Sequence, residues 1–148
     1  MGSNMTGKAK ILVVDDSPTI AETLARVLQP QGYEVHKALN GKEALVKARQ
    51  LMPDLILLDI IMPEMNGYKV CQRLKANPDT AKIGVIMLSA KGNIDGPQVN
   101  GHSLINGVND RELAYKAGAD GFLHKSVSPD ELMKSIKSLL WFGTKNKN

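Results

Sequence analysis

The sequence predicts an α/β fold: a doubly wound, five-stranded parallel sheet in the order 2-1-3-4-5, with helices on both faces. Short apolar runs alternate along the chain with segments of helical periodicity, a pattern that yields parallel strands joined by right-handed crossovers. Three of the runs, Ile11-Leu12-Val13-Val14, Leu55-Ile56-Leu57-Leu58 and Val85-Ile86-Met87-Leu88, are apolar throughout, as strands buried on both faces must be. The other two, Tyr33–His36 and Ala119–His124, mix apolar with polar residues and belong at the edges. With strands one, three and four inside, the ligand crevice of such a sheet lies at the C-terminal ends of strands one and three.

The first strand ends in Asp15-Asp16, and Ser17-Pro18 then reads as an N-cap with proline at the first helical position. Ile20, Leu24, Val27 and Leu28 are expected to form the buried face of the first helix, which Gln31-Gly32 stops. Asn40-Gly41 opens a second helix, with Ala44, Leu45, Ala48 and Leu51 facing inwards and Met52-Pro53 ending it. Pro63 keeps the loop after the third strand out of helical geometry. A third helix from about Asn66 to Ala76 turns Val70, Cys71 and Leu74 to the core, and Asn77-Pro78-Asp79 breaks it. Asn109 with Glu112 forms a capping-box pair at the start of the fourth helix. Ser128-Pro129-Asp130-Glu131 opens the last one, whose core stripe is Leu132, Ile136, Leu139 and Leu140.

At 148 residues the chain is long enough for one self-sufficient domain. We place a leader at 1–9, in part an artificial addition (Met1-Gly2-Ser3-Asn4 before Met5), the folded domain at 10–141 and a frayed, lysine- and asparagine-rich tail at 142–148. No apolar run approaches the length of a membrane span, so no membrane partner is expected. The single cysteine, Cys71, precludes an internal disulfide and fits a reducing, cytoplasmic setting. A net charge of +4 spread over scattered lysines gives little footprint for direct nucleic-acid binding.

Parallel strands bring their last residues to one edge, here Asp15, Asp16, Asp59, Ser89 and Lys125. Carboxylates crowded together resist ionising unless a cation sits among them, and oxygen ligands suit a hard ion such as Mg²⁺. A hydroxyl and an ammonium on the opposite side fit a phosphoryl group. Each residue alone has an ordinary explanation: a helix-start pair, a loop cap, a strand-end hydrogen bonder, a surface charge. Chance does not explain all of them at the ends of the right strands.

These residues stand in four motifs: Ile11-Leu12-Val13-Val14-Asp15-Asp16-Ser17-Pro18, the Asp-x-x-Met-Pro-x-Met-x-Gly run from Asp59 to Gly67, Ser89-Ala90-Lys91, and Ala117 to Lys125. Together they resemble the response-regulator receiver domains of two-component signalling, CheY-like and flavodoxin-like in strand order, over roughly Lys10 to Leu140. The resemblance implies that Asp59 accepts a phosphoryl group from a histidine kinase or a histidine phosphotransfer protein. It implies that Asp16 and Asp59 bind Mg²⁺ directly, with Asp15 acting largely through water and the backbone carbonyl of Ile61 as a further ligand. Ser89 and Lys125 would hold the phosphoryl oxygens, with Ala90 small enough to leave room. Ser89 and Phe122 would form the switch, moving the face of the fourth and fifth helices to change binding of a downstream protein target. Such a domain catalyses only its own phosphorylation and dephosphorylation, as a monomer or weak dimer.

The chain departs from the family in two places. Ser89 and Lys125 lie 36 positions apart, and removing 93–106 restores the usual spacing. This turn-rich insertion, with possible Asn-Gly hairpin turns at Val99–Gly101 and Ile105–Gly107, reads as a surface loop, or else as an ordered lid or partner-binding element. Ser126 replaces the family's proline after the lysine, so the Lys125–Ser126 bond is either trans or strained. Apolar Ile61 cannot hydrogen-bond an attacking water, so slow self-dephosphorylation is expected. Two other readings compete: an aspartyl-phosphate hydrolase, which would need a second acid that Asp59-Ile60-Ile61 lacks, and a phosphate-independent receiver-like binding module. A DNA-binding effector is not expected within these residues.

Overall fold

A computed structural model describes residues 7–90 and 109–146. The elements alternate as β1 (Lys10–Val14), α1 (Pro18–Leu28), β2 (Glu34–Ala38), α2 (Gly41–Leu51), β3 (Leu55–Asp59), α3 (Gly67–Ala76), β4 (Gly84–Ser89), α4 (Asp110–Lys116), β5 (Gly121–His124) and α5 (Pro129–Asn146). All strand pairs are parallel, and the order is β2-β1-β3-β4-β5. The tail expected from 142 therefore begins inside α5. The 93–106 insertion, its Asn-Gly turns and Lys91 lie outside the described residues.

Alternation along the central strands sorts the core into two layers. Leu12, Val14, Ile56, Leu58, Val85 and Met87 pack with residues of α2, α3 and α4. Ile11, Val13, Leu55, Leu57, Ile86 and Leu88 pack with α1 and α5. Every residue of β3 from Leu55 to Leu58 is fully buried, which is why the run carries no polar residue until Asp59. Helix starts follow their caps: the side chains of Ser17, Asn40, Asn66 and Asn109 each accept a backbone N–H of the first turn. The Asn109–Glu112 capping box is complete.

On α1 the structure corrects the expected buried face. The residues in the core are Ala21, Ala25 and Leu28, whereas Ile20 is 37% exposed. Small alanines let the helix approach the sheet closely. The larger Ile20, Leu24 and Val27 are displaced to its flank, where they line a cleft of about 290 Å³ with Leu88, Val127 and Leu132. The same substitution of small for large holds on α2, where Ala44 and Ala48 are buried and Leu45 and Leu51 only partly so. α3 buries Val70, Cys71 and Leu74 as expected. α5 adds Met133 to Leu132 and Ile136 in the core, while Leu139 and Leu140 pack only partly. Strand β5 starts at Gly121, just after Asp120, whose backbone N–H donates to the Val85 carbonyl at 2.8 Å and whose carboxylate accepts the Val85 N–H at 2.9 Å.

Candidate functional site

The C-terminal edge of the sheet gathers Asp15, Asp16, Asp59, Ser89 and Lys125 as the strand order requires. Asp15 follows β1 directly. Its backbone N–H donates to the Ala38 carbonyl at 3.1 Å, and its Oδ1 accepts the Ser17 N–H at 2.9 Å. Asp59 closes β3, Ser89 closes β4, and the Lys125 backbone N–H donates to the Ser89 carbonyl at 2.9 Å. Asp15, Asp59 and Ser89 are buried and Asp16 is exposed. The Lys125–Ser126 bond is trans, which settles that alternative without strain in the peptide.

The loop after Asp59 is pinned at both ends. Ile60 and Met62 are buried anchors, and Ile61 between them is 59% exposed. Glu64 takes a left-handed φ of 66°, closing a tight turn in which the Met65 N–H reaches the Pro63 carbonyl at 2.6 Å. The Gly67 N–H then donates back to the Ile60 carbonyl at 2.8 Å. A Cβ at Gly67 would lie 2.4 Å from the Asp59 carbonyl oxygen, so only glycine lets α3 start this close to β3.

Electrostatically the site is unbalanced. The Lys125 Nζ lies 2.6 Å from Asp15 Oδ2 and 3.1 Å from Asp59 Oδ1, so one ammonium serves two buried carboxylates and one negative charge is left over. Burial, followed by the Asp15 charge, pushes the Asp59 carboxyl up to about 6 against the opposing pull of Lys125. Burial works against the Lys125 ammonium, but Asp15 and Asp59 outweigh it and hold its pKa above the ordinary lysine value. Oxygens of Asp15, Asp16 and Asp59 all lie within 4.8 Å of one another. Three neighbouring acids, two of them buried and sharing one lysine, form an oxygen donor set that fits a hard divalent cation.

Phe122 sits on β5 opposite Met87, 6% exposed, with its ring edge-on to His124 at 5.7 Å between centroids. The sequence reading passed over two neighbours of this region. The Arg111 guanidinium lies 5.0 Å from the Phe122 ring centroid, and the Tyr68 hydroxyl donates to Asp110 Oδ1 at 3.1 Å. Neither pair leaves a local signature, since its members lie on different elements.

Comparison with known proteins agrees with the geometry. The chain matches the response regulator receiver domain over residues 11–137. It is 35% identical over 131 residues to the DNA-binding dual master transcriptional regulator RpaA of Synechocystis, covering 88% of this chain and 48% of that protein. It is 34% identical to Protein PilH of Pseudomonas aeruginosa, covering 89% of this chain and 98% of that one. Among solved structures, chemotaxis protein CheY4 of Vibrio cholerae superposes with a TM-score of 0.73 at 29% identity, over 90% of this chain and 99% of that one. The chain spans about half the length of several curated relatives it matches, RpaA among them.

Proposed function

The chain belongs to the response regulator receiver domains of two-component signalling, and on that footing we propose that it is a phosphoacceptor switch with Asp59 as the acceptor. The observation that carries this is the placement of Asp59: buried at the crevice between β1 and β3, in reach of the Lys125 ammonium, and sharing oxygen space with Asp15 and Asp16. A carboxylate oxygen of Asp59 attacks the phosphorus of a phosphohistidine. The P–N bond breaks, the histidine nitrogen leaves with its electron pair, and an aspartyl phosphate remains. Ser89 Oγ and Lys125 Nζ are the groups that hold the transferred oxygens. Lys125 then exchanges its contacts with two carboxylates for contacts with a dianionic group. Bound Mg²⁺, held by Asp16, Asp59 and the Ile61 carbonyl, with Asp15 acting largely through water, would keep Asp59 ionised and offset charge on the phosphoryl oxygens.

The donors we assign are a histidine kinase or a histidine phosphotransfer protein, the setting is cytoplasmic, and the output is altered binding of a downstream protein by the α4 and α5 face. No helix among the described residues is long and apolar enough to cross a membrane. Phosphorylation biases that face only through contacts that differ between the two states, and Ser89, Lys125 and Phe122 are the groups placed to make them. Titration with beryllofluoride or acetyl phosphate in Mg²⁺ tests the reading. Saturable binding that disappears in Asp59→Asn supports the switch. Steady phosphate release identifies a hydrolase instead, and the absence of any response identifies an inert module.

A further inference from the structure

α4 is a seven-residue helix that buries one side chain of its own, Ala114. Apolar packing therefore holds it less firmly than the helices around it. Its first turn is tied in two directions by other means. Asp110 accepts the Tyr68 hydroxyl of α3 at 3.1 Å. Arg111, itself exposed, places its guanidinium carbon 5.0 Å from the centroid of the buried Phe122 ring, within the range where a cation is attracted to an aromatic face. The ring also borders a cleft of about 440 Å³ lined by Tyr115, Leu123, Lys134 and Leu139. Two places are thus open to it: against the sheet beside Arg111, where it lies, or out in that cleft. Its strand partner is Met87, and β4 ends at Ser89.

We propose that the first turn of α4 is a two-point latch, Asp110 on the Tyr68 hydroxyl and Arg111 on the Phe122 ring, that keeps this ring against the sheet. Arg111 is thereby a positioning residue for the phosphoryl response. The link to phosphate rests on the switch reading above, to which the latch adds that the ring lies against the sheet in the phosphorylated state; the latch itself rests on the contacts.

The chain holds two phenylalanines, Phe122 and Phe142, so fluorophenylalanine labelling gives two ¹⁹F signals, which Phe142→Leu assigns. Arg111→Ala shifts and broadens the Phe122 signal. It also lowers affinity for beryllofluoride in Mg²⁺ about two- to fivefold, the range of an exposed cation–π contact at tenfold per 1.4 kcal/mol. Arg111→Lys recovers part of both effects, and Tyr68→Phe, which removes only the hydroxyl, moves the same signal less. In a Phe122→Leu background Arg111→Ala costs no further affinity. A Phe122 signal untouched by Arg111→Ala overturns the latch, and so does an affinity loss that persists undiminished in Phe122→Leu. Failure of the unsubstituted domain to bind beryllofluoride overturns the switch reading instead, while the ring signal, recorded without a phosphate mimic, still decides on the latch.

Discussion

The two edges of the sheet carry similar numbers of polar side chains and treat them differently. At the N-terminal edge Lys75 donates to the carbonyls of Ala81 and Ile83 and to Asp120. The same Asp120 oxygen accepts the Val85 N–H, Asp54 accepts the Lys10 N–H at 2.8 Å, and the buried Thr80 hydroxyl donates to the Leu74 carbonyl at 2.6 Å. Each of these groups has directed partners and holds two elements together. At the C-terminal edge the carboxylates of Asp15 and Asp59 are far more buried than Asp120 and share a single ammonium. Fully partnered polar groups stabilise a fold, whereas groups left short of partners raise its energy until something binds. The contrast supports our proposal that the second edge is the site, while the first is architecture.

Loss of a carboxylate should therefore differ in sign between the two edges. The largest effect is expected for Lys125→Met, which leaves two buried acids without their counter-charge. It should cost about 3 kcal/mol in urea denaturation near pH 8 and progressively less towards pH 5, where Asp59 takes up a proton. Asp59→Asn should do the opposite. The folded state raises this carboxyl from 3.8 to about 6, so it binds the proton more tightly than the unfolded chain does. Stability is therefore lost as pH rises from about 4 to about 6. The asparagine variant should be more stable by about 2–3 kcal/mol above pH 7 without metal and no more stable than the parent below pH 4. Saturating Mg²⁺ should narrow the gap by stabilising the parent alone.

At the other edge Asp120→Ala should destabilise by about 1–3 kcal/mol, since it strips partners from Val85 N–H and Lys75 together. That cost should be insensitive to Mg²⁺. An Asp120→Ala variant that gains stability, or an Asp59→Asn variant that loses it at neutral pH, breaks the distinction between the edges. A smaller, kinetic expectation concerns Ile61. Its side chain is apolar and exposed, unable to hydrogen-bond an attacking water, so the aspartyl phosphate should outlast seconds in Mg²⁺, and a half-life of seconds after removal of the donor would contradict this.

The sequence makes the fold and the convergence of the site residues readable for one physical reason. In a parallel sheet, chain position at a strand end translates directly into position on one edge. Asp15, Asp59 and Ser89 each follow an apolar run and Lys125 follows the mixed fifth strand, so recognising the strands places the side chains. What periodicity cannot rank is closeness of approach. On α1 it favours the large Ile20, Leu24 and Val27, but the sheet accepts the alanines at 21 and 25. Long-range polar pairs are equally hidden. Lys75 and Asp120 lie 45 positions apart, and nothing local in either segment marks the other. The cation–π contact of Arg111 belongs to the same class, because a surface arginine on a short helix looks the same whether it faces water or a ring.

The central claim is that Asp59 is the residue that carries the phosphoryl group. Mass spectrometry after incubation with acetyl phosphate and Mg²⁺ measures this most directly, by intact mass and then by peptide mapping of the borohydride-reduced adduct. The account predicts one phosphoryl group per chain, located on Asp59, and none after chelation of the metal or in Asp59→Asn. A phosphoryl group mapped to another residue, or undiminished uptake by Asp59→Asn, would contradict it.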